Sequence, residues 1–270
     1  GCFELAAVAD PNPQTPERVG DAAVRWYAEA RRMLEEERPD AVFVATPVEA
    51  HAAMTRLALE AGCHVVCEKP MAADRAECEA MLAAARAADR LLAIDFECRY
   101  YPGYQRIRDW VAAGKIGAVK AVHVEHMWSG HKTFGPLAER RKGFLNRSGC
   151  LDCGVHMLDM IRFVSGGGRW REVRAMGEWF EEEVRFAPHI AVQGRLDTGV
   201  LATLNASFAL SARIRKPLSQ HHFLVIGLGG MIRREVDAAG QEVVVLQAED
   251  EHQVVPFEEA GHEKTIVPLL

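Results

Sequence analysis

The sequence has no apolar run approaching the ~18–20 residues that a helix needs to cross a bilayer, so no membrane partner is expected. It has no excess of positive charge. The formal net charge is −6, against the basic face that nucleic-acid binding usually requires. It has no basic n-region and no cleavage signature, so no targeting segment is expected. The chain opens Gly1-Cys2-Phe3-Glu4 without an initiator Met, and Phe3–Asp10 reads as a strand entered in mid-fold. Internal repeats and low-complexity tracts are also lacking. The cysteines, seven in number, are odd in count. In a chain without a secretory signature that excludes a simple disulfide framework and suits reduced, mostly buried thiols in the cytoplasm.

What is present is an ordinary globular balance, 49% hydrophobic and 26% charged, over 270 residues. That length suits two domains, because single cores tend to stop growing near ~250–300 residues. In the first hundred residues short apolar runs alternate with amphipathic segments. Strands are expected at Phe3–Ala9, Ala41–Ala45, His64–Cys67 and Leu91–Phe96. Between them Met54, Leu57, Ala58 and Ala61, then Cys78, Met81, Leu82 and Ala85, recur with helical spacing. Gly62 is placed to close the first of these helices. Near-continuous apolar strands alternating with helices imply a doubly wound parallel sheet, a Rossmann-like α/β domain over 1–117.

After a helix at about 104–113 the pattern changes. Strands are expected at Val122–Met127, Gly168–Phe180, His189–Leu196, Val200–Phe208, Phe223–Ile226 and Glu242–Gln247, interrupted by one strong helix near Leu151–Val164. Strands in series with few helices give an α+β second domain over 118–270 with a large, mainly antiparallel sheet.

In an open parallel sheet ligands bind outside the carboxyl ends of the strands. Asp10, Thr46-Pro47, Glu68-Lys69-Pro70 and Arg99 all fall at those ends. A carboxylate at Asp10 can accept hydrogen bonds from the adenosine ribose hydroxyls and would repel a 2′-phosphate. The following Pro11-Asn12-Pro13 supplies no cation to hold one, so NAD is favoured over NADP. The plainer alternative is an Asp that initiates a Pro-rich turn. Lys69 can reach a substrate hydroxyl as a proton acceptor; the commoner fate of such a Lys-Pro pair is a surface turn. On the second domain's helix, Asp152, His156 and Asp159 recur at i, i+4 and i+7 and share one face. Such a polar stripe is costly to bury unless it binds something, and His156 could shuttle a proton. A helix side facing water is the alternative.

The runs 45–72 (ATPVEAHAAMTRLALEAGCHVVCEKPMA), 98–102 (CRYYP), 112–119 (AAGKIGAV) and 152–160 (DCGVHMLDM) resemble the glucose–fructose oxidoreductase / inositol dehydrogenase / MocA family. The resemblance extends over nearly the whole chain. It implies NAD(P)-linked hydride transfer on a sugar, inositol or sugar derivative, and a homo-oligomer, dimer or tetramer, assembled through the C-terminal sheet. It also implies Lys69 and His156 as the acid–base residues and Asp152, Arg99 and Tyr100 as substrate contacts. Thr46, Pro47, His51, Glu68 and Lys69 would lie, with Asp10, around the cofactor. Relatives of other classes leave two alternatives open: an NAD-dependent glycoside hydrolase, and a ligand-sensing regulatory protein. The chain departs from the family pattern in several places. The first strand and its glycine-rich loop are expected to be missing, and a C-terminal helix as well. Ser148-Gly149 replaces a glycine cluster, and Glu97 stands where Asn is common.

Three further signals are decoys. Gly227-Leu-Gly229-Gly230 imitates a dinucleotide fingerprint, but the third glycine would fall at Ile232, so a turn between antiparallel strands is expected. Cys150, Cys153 and His156 imitate a zinc set, but steps of three drift round a helix and no fourth ligand is spaced to join them; no metal is expected. The basic stretch at His131-Lys132 and Arg140-Arg141-Lys142 reads as a solvated loop, with capture of an acidic sugar as the alternative.

Overall fold

The computed structural model describes residues 3–128, 150–179, 185–207 and 219–259. The chain falls into two compact units divided between Phe96 and Glu97.

The first unit runs β1 (Ala7–Ala9), α1 (Thr15–Val19), β2 (Arg25–Tyr27), α2 (Ala30–Glu37), β3 (Ala41–Val44), α3 (Val48–Glu60), β4 (His64–Glu68), α4 (Arg75–Ala88) and β5 (Leu92–Asp95). Every strand pairing in it is parallel. The helices begin and end where local chemistry says they should. Asp74 caps α4 by accepting the Glu77 N–H at 2.9 Å, and Glu77 reaches back to the Ala73 N–H at 3.1 Å. Past the end of α3, Gly62 takes a φ of +86°, and the Cys63 N–H closes back on the Ala58 carbonyl. The core gathers Val44, Leu59, Val65, Cys67 and Met81, all almost fully buried.

One expectation is modified here. The strands form two separate parallel sheets, β1-β2 and β3-β4-β5, rather than one. In a doubly wound sheet of order 3-2-1-4-5-6 these groups match the strands on either side of the first. β2 escaped the sequence reading because Arg25 and Trp26 are exposed and only Tyr27 is buried, so no period-two pattern exists to be read.

The second unit begins with a 3₁₀ turn (Glu97–Tyr100) and continues α5 (Pro102–Ala112), β6 (Val119–Trp128), a π-helical turn (Cys150–Gly154), α6 (Val155–Val164), β7 (Trp170–Glu178), β8 (His189–Leu196), β9 (Leu201–Ser207), β10 (Ser219–Gly227), β11 (Gly230–Val236), β12 (Glu242–Ala248) and β13 (His252–Pro256). The strands make one eight-stranded sheet, ordered β13-β12-β11-β10-β6-β9-β8-β7. Only the β6–β9 pairing is parallel. The core brings Ile107 and Trp110 of α5 and Met157, Met160, Ile161 and Val164 of α6 together with Val122, Leu204, Phe223 and Ile232 of the sheet. Helix α5, which the sequence reading put at the close of the first domain, thus packs into the core of the second unit. Its Tyr104 meets the rings of Phe223 and Phe257 edge-on, with centroids 5.4 and 5.1 Å away.

One sequence decoy resolves in this unit. Gly227 and Gly230 flank a two-residue connection between the antiparallel strands β10 and β11, a hairpin turn and no dinucleotide loop. A Cβ at Gly227 would lie 2.1 Å from the Ile116 carbonyl oxygen, so the glycine is there for close backbone approach. Strand β11 is the strand that the expected turn leads into, and charge hides its bounds in the sequence: Arg234 is 4% exposed close to the buried Ile232. Arg234 is tolerated there by pairing with Glu242, and with Glu259 at 3.1 Å, while donating to the Tyr104 hydroxyl at 3.1 Å.

Candidate active site

In the first unit the carboxyl ends of β1, β3 and β4 carry Asp10, Thr46-Pro47 and Glu68-Lys69-Pro70. Asp10 is half-buried, and one of its carboxylate oxygens accepts the Asn12 N–H at 2.8 Å. The turn-initiating role and an acceptor role coexist, since a carboxylate has several lone pairs. The Thr46 hydroxyl is buried and has no hydrogen-bond partner among the described residues. An orphan hydroxyl at a strand end is the mark of a place where a polar ligand group fits. Glu68 turns one carboxylate oxygen onto the Lys69 N–H at 3.0 Å. The Lys69–Pro70 peptide is cis.

His51 stands close to the loops that carry Thr46 and Pro70. It is 2% exposed on the inner side of α3. Its two ring nitrogens lie 2.8 Å from the carbonyl oxygens of Thr46 and Pro70. Carbonyls only accept, and a neutral ring has one N–H, so it donates to one of the two. The side chain lies between the β3 loop and the β4 loop.

A buried carboxylate was also missed. Asp95, 1% exposed, ends β5 in register with Glu68. The only sequence signal was an Asp inside the apolar run LLAIDF. Cys67 beside it is fully buried, and burial pushes its thiol up to about 11, which makes it a structural and unreactive cysteine.

In the second unit the 3₁₀ turn Glu97–Tyr100 and helix α6 face each other. Arg99 forms a bidentate ion pair with Asp159, Nε at 2.6 Å and Nη2 at 2.5 Å. Its guanidinium also lies 5.4 Å from the centroid of the Phe163 ring. The Asp159 hydrogen bonds hold the guanidinium charged. His156, one turn before Asp159, is 7% exposed, with Nε2 at 3.5 Å from a Glu97 carboxylate oxygen. Two members of the polar stripe read from the sequence, His156 and Asp159, are therefore buried, and Asp159 is neutralised by Arg99. This ion pair leaves Arg99 only the Nη1 side of its fork for a substrate. Tyr100 follows in the same turn and is half-buried. The Asp152 side chain and the basic stretch at 131–142 lie outside the described residues.

The chain thus combines a parallel α/β unit with polar groups at its strand ends, of the dinucleotide-binding fold class, and a mixed-sheet unit with a buried imidazole beside a carboxylate. Two models of one family match the chain. That for an oxidoreductase family with an NAD-binding Rossmann fold covers residues 1–96, and that for the GFO/IDH/MocA C-terminal domain covers residues 104–233. The chain belongs to the GFO/IDH/MocA oxidoreductase family. A D-glucoside 3-dehydrogenase of Escherichia coli (strain K12) is 30% identical over 233 residues, 78% of this chain and 64% of that protein. An inositol 2-dehydrogenase 4 of Saccharopolyspora erythraea is 27% identical over 77% of this chain and 62% of its own length. The chain thus spans less than two thirds of either relative. An oxidoreductase from Agrobacterium radiobacter, solved with NAD+, L-tartaric acid and magnesium, superposes with a TM-score of 0.80 at 19% identity, over 97% of this chain and 76% of its own.

Proposed function

We propose that the protein is an NAD-dependent dehydrogenase that moves a hydride between a ring CH–OH of a sugar, inositol or sugar derivative and the nicotinamide. One observation carries this reading: Thr46 and Lys69 follow the carboxyl ends of β3 and β4, neighbouring parallel strands of one sheet, and Asp10 follows the carboxyl end of β1, the strand ends at which open α/β sheets bind ligands. Bound NAD supplies the hydride acceptor. Asp10 accepts the adenosine ribose hydroxyls and disfavours a 2′-phosphate, and Thr46, Pro47 and Glu68 line the rest of the cofactor's path. Lys69 and His156 take and return the hydroxyl proton. Asp152 and Tyr100 orient the ring, with Arg99 contributing its remaining donors. The edge strand β7 of the large sheet, where Val173 and Met176 are 52% and 76% exposed, is read as a contact between copies of the chain. The buried thiols Cys63 and Cys67, which form no disulfide, suit the reducing cytoplasm.

The experiment is a screen with sugars, inositols, uronates and nucleotide sugars deuterated at each ring carbon. A dehydrogenase accumulates singly deuterated NADH with matching ketone. A glycoside hydrolase of the same fold returns the hydrogen and releases free sugar, and a sensor binds without turnover. Either of the last two outcomes overturns the proposal.

A further inference from the structure

A side-chain cluster in the second unit has a composition that hydride transfer does not require. Glu97, Cys98 and His156 each offer one ligand atom, and the three atoms lie within 4.8 Å of one another. Cys98 and His156 are 8% and 7% exposed, and Glu97 is half-buried. We propose that this cluster is a zinc site, with the Glu97 carboxylate, the Cys98 thiolate and His156 Nε2 as its ligands.

The chemistry of the set selects the metal. A thiolate and an imidazole are poor partners for magnesium or calcium and good ones for zinc. Zinc bonds of about 2.0–2.3 Å place tetrahedral neighbours roughly 3.5 Å apart. The Glu97–His156 separation is already 3.5 Å, so the site closes by a small inward movement of the Cys98 side chain. Carboxylate and thiolate together cancel the charge of Zn²⁺, which matters at a buried position. The thiol proton leaves to solvent as the metal binds.

The backbone is also prepared. Glu97 and Cys98 come from the 3₁₀ turn and His156 from α6, and the Arg99–Asp159 pair clamps those same two elements. Three protein ligands leave a fourth position open. The set differs from the Cys150/Cys153/His156 spacing considered in the sequence, because two of its members lie far from the helix along the chain.

A consequence follows for regulation, and it rests on the proposed acid–base role of His156. A zinc ion on Nε2 removes the lone pair that would carry the proton, so occupancy and turnover exclude each other.

The test titrates the metal-free chain with Co²⁺ and then displaces it with Zn²⁺, with no cofactor or substrate present. One equivalent of Co²⁺ is expected, with a thiolate-to-cobalt charge-transfer band in the near ultraviolet. Cys98→Ser should abolish the band and weaken binding by more than the ~10–100-fold that loss of an outer-shell partner costs. Glu97→Gln should weaken binding and keep the band. A Cys150→Ser/Cys153→Ser double variant should behave as the wild type, with circular dichroism confirming that each variant is folded. Binding without the band, a band that survives Cys98→Ser, or one lost only in the double variant overturns the site. One-to-one binding that leaves turnover unchanged upholds the site and removes His156 from proton transfer instead.

Discussion

Arg99 and Asp159 meet through two parallel hydrogen bonds of 2.6 and 2.5 Å, joining the turn after β5 to helix α6. The two sides of the pair are unequal. The Asp159 side chain is 6% exposed and that of Arg99 is 40% exposed. Removing the arginine strands a buried carboxylate, whereas removing the aspartate leaves a guanidinium that water can reach. Arg99→Ala should therefore cost more stability than Asp159→Ala, about 3 kcal/mol against about 1.5. Urea unfolding of the two variants checks the order, and equal or reversed losses contradict it.

A second prediction concerns pH. His221 lies across β6–β10 from His126, the two Nδ1 atoms 2.9 Å apart. Burial, with the Arg234 charge next and His222 beside it, pushes His221 down from 6.5 to about 4, against a smaller upward pull from Glu242. The folded protein therefore refuses a proton that the unfolded chain accepts between those values. Stability is fully present above about pH 6.5 and is lost as pH falls toward 4, by on the order of 3 kcal/mol. Thermal unfolding from pH 7.5 to 4 should show the loss, and His221→Gln should flatten that part of the curve. An unchanged slope in the variant contradicts the assignment.

His51 supplies a third. With the ring nitrogens 2.8 Å from the carbonyls of Thr46 and Pro70, His51→Ala leaves an acceptor without its donor and a void beside the Lys69 loop. The expected cost is about 1–3 kcal/mol, with faster amide exchange at Lys69 and Met71 than at the β4 residues Val65 and Val66. Wild-type exchange around Lys69 would show that the ring does not hold the loop.

Gly227 provides a fourth. Its Cβ position is blocked by a backbone oxygen, that of Ile116 at 2.1 Å, which cannot swing away as a side chain could. Gly227→Ala should destabilise the second unit by roughly 1–3 kcal/mol. Gly240→Ala, which meets nothing within 4 Å at a φ of +80°, should cost only the left-handed backbone penalty, about 1 kcal/mol. Equal losses at the two positions would refute the close-approach reading.

How far the sequence could be read depended on where the physics was local. Helices α3 and α4 were legible because apolar spacing, a capping Asp74 and a closing Gly62 act within a few residues. Strands β8 and β9 were legible because the sheet buries one face and alternation survives. Strand β2 and the bounds of β11 were not, since exposed Arg25 and Trp26 in one and the buried Arg234 in the other erase the pattern. The polar face of α6 could be drawn from spacing alone, but its partners could not. Arg99 and Glu97 lie some sixty residues earlier in the chain, and only the tertiary fold brings them to Asp159 and His156. The backbone contacts of His51 were equally hidden, because carbonyls leave no trace in the residue alphabet.

The most direct test of the account is single-turnover NADH formation by the wild type, Lys69→Ala and His156→Ala on the best substrate from the deuterium screen. Each variant should lose about 10²–10⁴-fold in the hydride-transfer rate, with NAD binding unchanged in His156→Ala. Wild-type rates in both variants would contradict the proposed proton chemistry of this site.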